Sequence, residues 1–91
     1  MEQLKTIKEL INQGDVAEAI RQLDEYLITD STDRDEAFYL LGNAYRKQGN
    51  WQLALNNYQY AIEINPDSPA VQARKMVIDI LNFYNKDMFN Q

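Results

Sequence analysis

The 91 residues include no cysteine and no histidine. The first absence excludes a disulfide framework and a thiolate metal site. The second removes the commonest general base and the commonest metal ligand. A nucleophile would then have to be Ser31, Ser68, a threonine or a lysine, and none has a base at a defined spacing. Glycine is scarce, and Gly14, Gly42 and Gly49 form no glycine-rich phosphate loop. No apolar run approaches the roughly eighteen residues of a membrane span. The opening MEQLKTIKELINQ lacks the continuous apolar segment of a signal peptide. The expectation is a cytoplasmic chain that is not an enzyme and carries no cofactor and no metal.

What is present suits one modest globular domain. The apolar share of 45% beside 25% charged residues argues against disorder. The net charge of −5 is uneven. Residues 1–36 hold ten acids and four bases, net −6, and the remainder holds four acids and five bases, net +1. An acidic half lacks the cations that neutralise phosphates, so no nucleic-acid partner is expected. No membrane partner is expected either. Paired acids such as Asp24 and Glu25 read as solvated helix surface.

The chain repeats itself at a spacing of 35 residues. Gly14 pairs with Gly49, Ala19 with Ala54, Ile20 with Leu55 and Leu23 with Tyr58. Helices are expected at 2–13, 16–29, 35–48, 51–64 and 69–86. Gly14 and Gly49 suit the left-handed position that ends a helix. Pro66 stops the fourth helix, and Ser68 before Pro69 reads as a cap and first turn.

Residues 36–66 read EAFYLLGNAYRKQGNWQLALNNYQYAIEINP. This stretch resembles a tetratricopeptide repeat, whose signature is W-x2-L-G-x2-Y, then A-x3-F, then P. Phe38 stands for the tryptophan, Leu41, Gly42, Tyr45 and Ala54 match, Tyr58 stands for the phenylalanine, and Pro66 closes the repeat. The resemblance implies an all-α right-handed superhelix: a degenerate first repeat at 1–34, a well-matched second at 35–68, a capping helix at 69–86 and a tail at 87–91. The first repeat departs from the pattern, with Gln3, Thr6 and Ile7 in the slots of Phe38, Leu41 and Gly42. Within the core, Gly42 is expected against Leu55 and Tyr58. Ala73, Met76, Val77, Ile80 and Tyr84 are expected to form the buried stripe of the last helix. Tyr26, Tyr58 and Trp51 read as packing residues, and Tyr60 as an outer one.

In this family the first helix of each repeat lines a concave groove. The slots of Glu36, Tyr39, Asn43, Arg46 and Lys47 map by register onto Leu4, Lys8, Ile11 and Asn12 in the first helix. In the last helix they map onto Val71, Arg74, Ile78, Leu81 and Asn82. The resemblance thus implies a groove formed by Leu4, Lys8, Ile11, Tyr39, Asn43, Arg46, Lys47, Val71, Arg74 and Ile78. Asn43 with Arg46 and Lys47 resembles part of the carboxylate clamp of chaperone-tail-binding members, with Tyr39 where the clamp has a further lysine. The implied function is a protein–protein interaction module, an adaptor or scaffold. Its partner is a protein or peptide with apolar side chains and an acidic or C-terminal carboxylate group. Three alternatives stand beside it: self-association as a homodimer through the same apolar groove, covering of the groove by the chain's own tail, and packing of Leu4, Ile11, Ile78 and Leu81 inside the core.

Overall fold

A computed structural model describes residues 2–29 and 32–89, with side chains as far as Tyr84. It contains α1 (Glu2–Gln13), α2 (Val16–Thr29), α3 (Arg34–Lys47), α4 (Trp51–Ile64) and α5 (Ala70–Phe89). The protein is all-α: two antiparallel helical hairpins, α1–α2 and α3–α4, followed by α5. Helix α5 runs on to Phe89, past the expected end at 86, so part of the expected tail is helical. Asn90 and Gln91, the rest of that tail, lie outside the described residues.

Both hairpins turn by the same device. Gly14 and Gly49 have φ of 94° and 77°. Each N–H reaches back to a carbonyl, Ile11 at 3.1 Å and Arg46 at 2.9 Å. The next residue closes the wider ring, Asp15 onto Leu10 and Asn50 onto Tyr45, both at 2.9 Å. This pattern satisfies the orphan carbonyls of a helix end and needs a residue free of the left-handed penalty. Asn50 then caps α4, its Oδ1 accepting from the Leu53 N–H at 3.2 Å.

The second hairpin closes on a missing side chain. A Cβ placed on Gly42 would lie 2.4 Å from both Cδ1 and Cε1 of Tyr58. The ring of Tyr58 therefore lies against the α3 backbone, where only glycine leaves room. In the first hairpin the same two slots hold Ile7 and Leu23, both fully buried in one cluster. The bulk that Tyr58 supplies to one hairpin is split between two aliphatic side chains in the other. Leu55, expected beside Gly42, is half-buried and packs with the α4–α5 cluster.

The core has two parts. Leu4, Ile7, Ile11, Ala19, Leu23 and Tyr26 meet Ala37, Leu40, Leu41 and Ala44 of α3. Ala54, Tyr58 and Ala61 meet Ala70, Ala73 and Val77 of α5. Phe38, Tyr39 and Tyr45 of α3 pack against both parts and join them. The connections are tied by side chains. Between α2 and α3, the Tyr26 hydroxyl donates to the Thr32 carbonyl at 2.9 Å and Arg34 Nη1 donates to the Leu27 carbonyl at 2.8 Å. Between α4 and α5, Asn65 takes the extended conformation that the following proline favours. Its Nδ2 donates to Asp35 Oδ2 at 3.0 Å. Ser68 Oγ accepts from the Ala70 N–H at 3.0 Å and starts α5.

The expected stripe of α5 needs correction. Ala73 and Val77 are buried, but Met76 is 52% and Tyr84 76% exposed. The residues that α3 turns to the preceding hairpin are Ala37, Leu40, Leu41 and Ala44. The 35-residue register carries them onto Gln72, Lys75, Met76 and Asp79, of which three are polar. Helix α5 instead buries Ala70, Ala73 and Val77, with Leu81 packed beside them, which is the opposite side of the helix. Tyr84 continues that stripe, but α5 has 20 residues against the 14 of α4 and runs past its partner.

Three outcomes are expected. Gly42→Leu overpacks the α3–α4 contact and lowers unfolding stability by about 1–3 kcal/mol or more. Gly42→Ala combined with Tyr58→Leu, which imitates the first hairpin, costs less than the sum of the single changes in a urea-denaturation cycle. In α5, Val77→Asp places a charge in the core and abolishes cooperative unfolding, whereas Met76→Asp melts within a few degrees of the parent by circular dichroism.

Candidate functional site

Helices α1 and α3 enclose two hollows that meet at Lys8 and Leu40. The larger, about 260 Å³, is lined by Lys8, Asp35, Glu36, Tyr39, Leu40, Ser68 and Pro69. The smaller, about 90 Å³, is lined by Lys8, Ile11, Asn12, Leu40, Asn43, Arg46 and Lys47. Together they form a track along α3 from its first turn to its last. Leu40 is buried and gives the track an apolar floor, and Tyr39 and Pro69 wall the larger end.

Of the residues named from sequence, Lys8, Ile11, Tyr39, Asn43, Arg46 and Lys47 line one or other hollow. Leu4 does not: it is fully buried in the α1–α2–α3 core and has no surface to offer. Val71, Arg74 and Ile78 line neither hollow. The register assigned them by analogy with α3, but α5 is turned about its axis to bury Ala70, Ala73 and Val77 against α4. Val71 is exposed, and Arg74 and Ile78 are half-buried. Asp35, Ser68 and Pro69 were not among the sequence candidates. The last two sit on the α4–α5 connection, which a comparison of helix slots does not reach.

The Tyr58 ring that rests on Gly42 also anchors this face. Its hydroxyl donates to Asn43 Oδ1 at 2.5 Å, and Tyr39 lies beside it with ring centroids 6.1 Å apart. Asn43 Oδ1 is thereby engaged, leaving its Nδ2 hydrogens as the donors for a further partner. Burial pushes the Tyr58 hydroxyl up to about 12, with the nearby Arg46 opposing the shift. Burial, with Asp24 second, also raises Tyr45.

Charge is ordered along the track. Asp35 and Glu36 occupy the first turn of α3, and Arg46 and Lys47 the last. Each pair complements the helix macrodipole, which explains the charges locally. Among the described residues the ion pairs lie elsewhere, on α2, where Arg21 meets Glu18 at 2.7 Å and Glu25 at 3.4 Å. The Arg21 guanidinium, helped by Gln22, holds the Glu18 carboxyl down at about 2. Lys8, Glu36, Arg46 and Lys47 have no such partner among the described residues. Among those residues, too, no group of three acidic side chains could hold a metal ion, and no helix is long and apolar enough to cross a membrane.

The tetratricopeptide repeat family model matches residues 35–68, which is α3, α4 and the connection to α5. The Photosystem I assembly protein Ycf3 of Synechococcus sp. strain CC9902 is 39% identical over 61 residues, covering 65% of this chain and 35% of that protein. Its counterpart in strain CC9605 is 36% identical over the same shares. The chain thus spans about a third of the length of the curated relatives it matches. The solution NMR structure of Bacteroides fragilis protein BF1650 superposes with a TM-score of 0.90 at 72% identity, over 100% of this chain and 92% of that one.

The buried phenol gives a pH test. A hydroxyl raised on folding contributes stability that is complete below the ordinary tyrosine value near 10 and is lost as pH rises toward about 12. The urea midpoint is therefore expected to hold level up to about pH 10 and then fall. In Tyr58→Phe the fall is shallower, with Tyr45 supplying what remains.

Proposed function

Because the chain carries a tetratricopeptide repeat over residues 35–68, we propose that it is a non-catalytic protein–protein interaction module that seats a segment of a partner protein on the concave face formed by α1 and α3. The single observation that carries this reading is the track from Asp35 to Lys47, with an apolar floor and with rim charges at Lys8, Glu36, Arg46 and Lys47 that form no ion pair among the described residues. A rigid apolar floor supplies burial, and rim charges supply orientation and on-rate. The Nδ2 of Asn43 with Arg46 and Lys47 offers donors and positive charge for a carboxylate of the partner. The Synechococcus relatives are, by name, assembly proteins for photosystem I. What carries over here is only the coarser role of holding other proteins; an adaptor or scaffold role in the cytoplasm is part of the proposal. Self-association through the same face has less apolar surface to draw on, since Leu4 and Ile11 lie in the core.

A photo-crosslinking amino acid tests the reading. With p-benzoylphenylalanine at position 47, irradiation of source cells should yield adducts with other proteins, and Arg46→Glu should abolish them while helicity stays unchanged. The same group at position 52, exposed on α4, should yield none. Equal adducts from both positions, or a lone adduct of twice the chain's mass, would contradict it.

A further inference from the structure

The two ends of the track carry opposite charge, and their separation is fixed by one rigid helix. Glu36 and Lys47 stand eleven positions apart on α3, as do Asp35 and Arg46. At about 1.5 Å per helical residue that is roughly 16 Å. An extended chain advances about 3.3 Å per residue, so the same distance is spanned by about five residues. The two hollows adjoin at Leu40 and Lys8, which line both.

We propose that this face selects an extended segment bearing a cationic side chain and a carboxylate about five residues apart, the cation in the larger hollow and the carboxylate in the smaller one. The proposal rests on the groove function put forward above. In the larger hollow the stem of a lysine or arginine lies along Tyr39 and Pro69, and its head meets Glu36 and Asp35. Asp35 is already half-committed to Asn65 at 3.0 Å, so Glu36 is the principal acceptor. In the smaller hollow the carboxylate meets Arg46, Lys47 and the Nδ2 of Asn43, which donates to nothing else among the described residues. Lys8 lies between the two and disfavours a positive charge in the middle of the segment. Neutral side chains there rest on Leu40. A uniformly acidic ligand is repelled at the Glu36 end, and a uniformly basic one at the Arg46 end, so recognition depends on both charges and on their spacing.

The probes are capped hexapeptides with a common Leu-Ala-Ala-Leu centre, titrated into the ¹⁵N-labelled chain. Their ends are Lys and Glu, Lys and Lys, Glu and Glu, or Gln and Gln. The Lys–Glu peptide is expected to shift amides of α1 and α3 and to bind about threefold to tenfold more tightly than the other three, a margin that narrows with added salt. Glu36→Lys should move first place to the Glu–Glu peptide, and Arg46→Glu with Lys47→Glu should move it to the Lys–Lys peptide. Glu36 and Lys47 are exposed and Arg46 is half-buried, and the spectra will report whether each variant stays folded. Equal binding of all four peptides to α1 and α3 would overturn the charge rule and leave the groove function standing. A Glu–Glu peptide ranking first on the parent chain would overturn it in favour of a uniformly basic groove. Shifts confined to α2 and α4, or none with any peptide, would overturn both the rule and the groove function.

Discussion

One absent side chain holds this molecule together. At Gly42 the backbone of α3 is bare, and the ring of Tyr58 occupies the space that a Cβ would need. That contact sets how closely α3 and α4 approach. It also fixes the Tyr58 hydroxyl, which takes hold of Asn43, and it seats Tyr39 beside the ring. Asn43 and Tyr39 belong to the track between α1 and α3. A packing constraint in the core is thus transmitted over a few ångströms into the placement of the residues that would meet a partner, with no loop intervening.

Helix α3 is the element on which this depends most. Its Ala37, Leu40, Leu41 and Ala44 complete the first core cluster, and its Phe38, Tyr39 and Tyr45 join that cluster to the second. With its sides so occupied, α3 presents a rigid strip to the track. The acids in its first turn and the bases in its last turn stabilise the helix through its dipole, by a few tenths of a kcal/mol to about 1 kcal/mol each. The same charges give the track its polarity. The proposed recognition would use the same four residues as local helix physics, so charge alone at these positions does not separate the two roles.

Much of the fold was legible because backbone geometry demands particular residues. The left-handed turns at Gly14 and Gly49 and the close approach at Gly42 call for glycine, and the helix start at Ser68 calls for one of a few capping residues. The face of α5 was misread for a physical reason. The repeat register was followed for Met76, but Gln72, Lys75 and Asp79 make that side of the helix polar, and Ala70 joins Ala73 and Val77 against α4 instead; Tyr84 lies on the buried side but beyond the end of α4. Ala73 and Val77 were expected and are buried; reading polarity around the helix would have put Ala70 in the place of Met76. The same packing removed Val71, Arg74 and Ile78 from the hollows. Leu4 was misplaced because slot analogy says nothing of depth. Ser68 and Pro69 entered the larger hollow from a connecting loop, a tertiary juxtaposition to which no periodic pattern points.

The contact between Gly42 and Tyr58 can be observed directly in solution by nuclear Overhauser spectroscopy. The account predicts strong cross-peaks from the Gly42 α-protons to the ring protons of Tyr58, with those α-protons displaced by the ring current. Gly42 α-protons at ordinary positions, with no cross-peak to the Tyr58 ring, would contradict it.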